Sequence, residues 1–93
     1  MPTLSDKIMF EIYRESGYNR QYRAVYFTEL DEHNKEHEIN AALAGEHLHS
    51  GFIAGSLSRD AKRMVNNVLA RLNAGEPLDG QAVERILAPF SVE

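Results

Sequence analysis

No cysteine occurs among the 93 residues of the chain. That removes disulfide staples, thiolate zinc sites, iron–sulfur clusters and cysteine nucleophiles together. Long apolar runs are missing too: none approaches the roughly 20 residues that a membrane span requires. The opening Met1-Pro2-Thr3-Leu4-Ser5-Asp6 lacks the charged start and apolar stretch of a signal peptide. A cytoplasmic location without a membrane partner is therefore the expectation. Basic charge is scarce, with ten Lys and Arg against fourteen Asp and Glu and a formal charge of −4. Such a chain lacks the electrostatic footprint of a nucleic-acid binder, so no nucleic-acid partner is expected. The six glycines form neither a dinucleotide fingerprint nor a phosphate loop, and no G-x-S-x-G elbow occurs. Enzymatic activity is accordingly not the leading expectation.

What is present suits one folded unit. Hydrophobic residues at 43% and charged residues at 26% are ordinary for a packed domain, and the length leaves room for a single core spanning 1–93. The excess acid is N-terminal: between Glu29 and Glu46 six acids face Lys35 alone, whereas residues 57–93 balance five acids with five bases.

The clearest element is a helix from about Ser58 to Ala74. Ala61, Met64, Val65, Val68, Leu69 and Leu72 recur at three- and four-residue steps and make one apolar stripe. Ser56 or Ser58 can cap its start, and Gly75 followed by Pro77 ends it. Arg59, Lys62, Arg63 and Arg71 fall mainly on the opposite face, a solvated face suited to pairing with the acidic 29–46 segment. A second, short helix follows, with Asp79 as N-cap, Val83, Ile86 and Leu87 as its buried edge and Pro89 as its stop. The two make a C-terminal αα-hairpin.

The N-terminal segment has two readings. Ile8, Phe10 and Ile12 alternate as in a strand, while Leu4, Ile8 and Ile12 also suit a helix with Thr3 and Asp6 at capping-box spacing. Residues 21–30, rich in aromatic and β-branched side chains, read as a strand, and Ser16-Gly17-Tyr18-Asn19 is turn chemistry. A strand needs a partner, which favours a β-hairpin. Glu36–Ala44 reads as a helix ended by Gly45, and residues 46–55 as a loop anchored by Phe52 and Ile53. The expected fold is α+β: an N-terminal β-hairpin packed against two or three helices, in the order β-β-α-loop-α-α.

Two constellations could carry function. All four histidines fall within one segment: His33 and His37 a helical turn apart, His47 and His49 on one side of an extended stretch. With Glu32, Glu36, Glu38 and Glu46 nearby, this set would suit zinc, nickel or copper. His33-Asn34-Lys35-Glu36-His37 also matches H-x-x-E-H, yet a chain this small can hardly build the peptidase cleft that pattern serves. The other constellation is aromatic. Tyr13, Tyr18, Tyr22 and Tyr26 lie in the hairpin, with Val25 and Phe27 on one face of the second strand and Tyr22, Ala24, Tyr26 and Leu30 on the other. Tyrosine is enriched at interfaces, because it is apolar in body and polar at its tip. Tyr13, Tyr22, Tyr26 and Leu30 are thus the expected contact residues of a non-enzymatic interaction or regulatory module. It would act with a protein partner or as a homodimer, two hairpins pairing into a four-stranded sheet. The alternative is a small metal-binding protein, zinc foremost, using the four histidines.

Overall fold

The structure is a computed structural model and describes residues 7–92. It contains strands β1 (Lys7–Arg14) and β2 (Tyr22–Tyr26), helix α1 (Lys35–Ala44), strand β3 (Glu46–Ala54), and helices α2 (Ser58–Asn73) and α3 (Gly80–Leu87). The α+β class and the closing helix pair are as expected, whereas the sheet has three antiparallel strands in the order β2-β1-β3. The segment expected as a loop, residues 46–55, is therefore mostly the third strand. Its two glycines and interrupted apolar pattern hide the strand period, but it pairs along the whole of β1, from Lys7↔Ala54 to Arg14↔Glu46. β3 thereby fills one of the two edges that a two-stranded hairpin would have left open. The helical alternative for the start of the chain fails over Lys7–Arg14, and its Thr3, Leu4 and Asp6 lie outside the described residues.

Strand alternation sends Ile8, Phe10 and Ile12 of β1 to one face, where they are buried with Ile53 of β3 against Ala61, Val65, Val68 and Leu72 of α2 and Val83 and Leu87 of α3. This is the main core. The stripe read from the α2 sequence is the one buried. Asp79 caps α3 as expected, its carboxylate accepting from the Ala82 N–H at 2.8 Å. Neither Ser56 nor Ser58 caps α2, which is entered instead through a 3-10 turn at Gly55–Leu57. Gly75 takes φ +100° beyond the end of α2, the left-handed geometry that its sequence position called for.

α1 lies on the opposite, outer face of the sheet. There Tyr13, Val25 and Ala42 form a second small core with Phe27, Leu30 and Ala41 packed against it. The helix is fastened at its end by a close approach: a Cβ added to Gly45 would lie 2.5 Å from the Arg14 carbonyl and 2.7 Å from the Tyr13 ring. The far edge of the sheet is closed by a side chain. Asn73 of α2 accepts from the Tyr22 N–H at 2.7 Å and donates to the Tyr22 carbonyl at 3.2 Å, taking the place a neighbouring strand would occupy.

Candidate interaction surface

The four expected contact residues are spent inside the chain. Tyr13 is 2% exposed, within the second core, and Leu30 packs beside it. Tyr22 and Tyr26 are half-buried against the main core, because α2 crosses the face that was expected to be open. Lys62 of α2 stands 5.0 Å over the Tyr26 ring and also pairs with Glu29, so the basic helix face does meet the acidic segment. Burial, assisted by the neighbouring Glu29 carboxylate, pushes the Tyr26 phenol up to about 12. The face that carries Tyr22 and Tyr26 is thus covered by α2, and the Tyr13–Val25 end of the other face by α1.

The histidines do not gather. Register pairs Ile12 with His49 and Tyr13 with His47, with a bulge between them that leaves Leu48 unpaired. Ile12 and Tyr13 point to opposite faces, and their partners follow them. His49 enters the core side, its ring 5.7 Å from that of Phe10, whereas His47 stays on the outer face within 3.3 Å of the Ser50 hydroxyl. The extended-strand spacing expected to align them is undone by one inserted residue. His33 precedes α1 and His37 lies on it, both exposed. Among the described residues, no group of three or more His, Cys, Asp or Glu side chains is placed to hold a metal ion. The four histidines of the zinc alternative are thus not brought together in this structure. Burial pulls the His49 imidazole below its ordinary pKa, with Glu84 of α3 opposing that effect and His47 adding to it.

A shallow groove of about 690 Å³ runs between the outer edge of β3, α3 and the chain after it, lined by His49, Ser50, Glu84 and Ser91 among others. The chain itself starts a fourth strand there. Ile53 bridges Ser91, and the Val92 N–H donates to the Phe52 carbonyl at 2.9 Å.

One open apolar feature among the described residues was not singled out by the sequence. α1 covers only the Tyr13–Val25 end of the outer face. Beyond it, Met9 and Phe52 are directly paired across β1 and β3 and are 40% and 41% exposed. Phe27, the residue that follows β2 and is packed against the second core, lies on the β2 side of Met9. Glu11 and Ser50 form the next pair toward α1, and Lys7 and Ala54 the outermost pair. Strand alternation carries the missed signal. Once Ile8, Phe10 and Ile12 face a core, Met9 must face the other way, and an apolar residue there needs its own explanation. Comparison with protein-family models, with curated proteins and with solved structures finds no match to this chain.

Proposed function

We propose that this chain is a small non-enzymatic protein-interaction module, acting as a homodimer or with a protein partner, and that the Met9–Phe52 half of the outer sheet face is its contact surface. One observation carries the reading. A sheet in a small domain hides its apolar rows, and here two large side chains on one row stand about two-fifths exposed, beside the Tyr13–Val25 end that α1 covers. The surface is rigid, since β1 is the central strand and is bonded on both sides. Such a surface binds by shape and apolar area, with the polar groups around it setting register.

The test is positional crosslinking. A photoreactive benzoyl-phenylalanine in place of Phe52 should give a discrete adduct on irradiation in the cells that make the protein. The same probe at Asn66, on the exposed side of α2, should not. Equal adducts from both positions, or none from position 52, would refute the assignment.

A further inference from the structure

Phe52 belongs to two features at once. Its ring is part of the contact surface proposed above, and it also lines the groove between the outer edge of β3 and α3. α3 runs alongside that edge. Its first residue, Gly80, abuts the strand, since a Cβ there would lie 2.8 Å from the Leu48 carbonyl oxygen. The chain after α3 returns to the strand where Ser91 bridges Ile53. Between these two contacts the edge of β3 faces the groove over about four residues, or roughly 14 Å at ~3.4 Å per residue.

The backbone of that edge matches a peptide. The Phe52 carbonyl points outward, where it accepts from the Val92 N–H at 2.9 Å. Backbone groups two residues apart on a strand point to the same edge, so the N–H and C=O of Ser50 point outward as well. Among the described residues no strand pairs with them. Ser91 and Val92 show that an extended segment fits against this edge, and they occupy only its Ile53–Phe52 end. Gly51, between Ser50 and Phe52, carries no side chain on the α3 side, which leaves room for one from a ligand.

The charge around Ser50 has one sign. Glu84 of α3 lines the groove, and Glu11 stands beside Ser50 across the strands on the outer face. Among the described residues neither carboxylate has an ion-pair partner. Arg85 lines a separate cavity instead of this groove, and Lys7 is already engaged within the chain. His49, held below its ordinary pKa by burial, is neutral at pH 7 and offers Glu84 no cation. We infer that the β3 edge beside Phe52 takes an extended peptide segment of a partner protein, which pairs with Ser50 and directs a lysine or arginine side chain to Glu84. The inference rests on the contact surface to which Phe52 belongs. Side chains of an extended peptide alternate, so the neighbours of the cation point to the outer face beside Phe52. The partner's pattern is therefore apolar, basic, apolar. An acidic segment or a phosphate backbone would meet Glu84 and Glu11 with like charge.

Blocked pentapeptides test this by nuclear magnetic resonance on the purified, isotope-labelled full-length chain. One alternates valine with lysine, a second valine with glutamine and a third valine with glutamate. The lysine peptide should shift the Ser50, Phe52 and Glu84 amide resonances saturably below about 5 mM, and bind about tenfold tighter than the glutamine peptide. Glu84 is exposed on α3, so Glu84→Lys should keep the far-ultraviolet circular dichroism of the parent. That variant should reverse the preference, binding the glutamate peptide in place of the lysine one. Should it lose its fold, Glu84→Gln must weaken lysine-peptide binding about tenfold. Equal affinities for the lysine and glutamine peptides, a preference that Glu84→Lys leaves unreversed, shifts confined to the acidic segment around α1, or no saturable shift up to about 5 mM would overturn the inference. A position-52 adduct in cells whose yield is unchanged by Glu84→Gln would remove the basic segment while leaving the contact surface standing.

Discussion

Gly45→Ala should destabilise the fold more than any other glycine-to-alanine exchange in the described chain. The backbone at Gly45 has φ −87°, which any residue adopts, so conformational strain plays no part. Space does. The added methyl would lie 2.5 Å from a main-chain oxygen of β1 and 2.7 Å from the ring of Tyr13, which is itself buried. Neither neighbour is the loose end of a flexible side chain, so α1 must shift off the sheet or β1 must bend. Overpacking of this kind costs about 1–3 kcal/mol, and the entropy that alanine removes from the unfolded chain returns roughly 0.4–1. A net loss of about 1–2 kcal/mol is expected, or roughly 5–15 °C in Tm for a domain of this size. Two internal controls separate space from conformation. Gly75→Ala has open room but φ +100°, and should lose about 1 kcal/mol through backbone strain alone. Gly51→Ala meets nothing nearer than 3.7 Å and should stay within about 0.5 kcal/mol of the parent. Urea titration at constant m-value reads all three. A Gly45→Ala midpoint equal to that of Gly51→Ala would mean that α1 does not close on the sheet as described.

Tyr26→Glu should unfold rather than dissociate the protein, losing at least about 2 kcal/mol in urea titration, because the carboxylate would enter a site between Phe10 and α2; a stable monomeric variant would instead restore Tyr26 to an interface. His49 sets a pH dependence. Its pKa is lowered in the fold, so as pH falls through 6.5 the unfolded chain takes up a proton that the folded chain refuses, and stability declines. Above 6.5 both states are neutral and the effect vanishes; His49→Gln should flatten the slope of urea midpoints between pH 7 and about 5, and an unchanged slope would refute the assignment. Solubility should be least near pH 5.5, the isoelectric point of the sequence, where net charge and colloidal repulsion vanish. Light scattering from pH 4.5 to 8 reads it, and a featureless trace would contradict the charge argument.

The helical half of the fold was legible because its signals are local. Six apolar residues at helical spacing, Gly75 and Pro77 behind them, and Asp79 ahead of the next helix each act within a turn or two of chain. β3 was not legible for the opposite reason. Glu46–Ala54 alternates poorly, with only Ile53 fully buried, and it is held by its register with β1 some forty residues earlier. Propensity carries no record of such a partner. Missing it distorted everything built on the hairpin. A two-stranded unit would have had two unpaired edges and an uncovered tyrosine face; in the three-stranded sheet one of those edges is filled by β3, and Asn73 closes the Tyr22 end of the other.

The candidate site shows how finely such an error propagates. His47 and His49 share a side of any regular strand, and one unpaired residue, Leu48, is enough to place them on opposite faces. Leu48 turns toward the main core with His49, and its carbonyl lies where a Cβ on Gly80 would be only 2.8 Å away. The bulge therefore lets α3 start directly against the strand. The same local geometry that separates His47 from His49 seats the helix that completes the core. With β3 in place, the side-chain parity of β1 has two consequences rather than one. Ile8, Phe10 and Ile12 explain the core, while Lys7, Met9 and Glu11 must lie on a face that α1 only half covers.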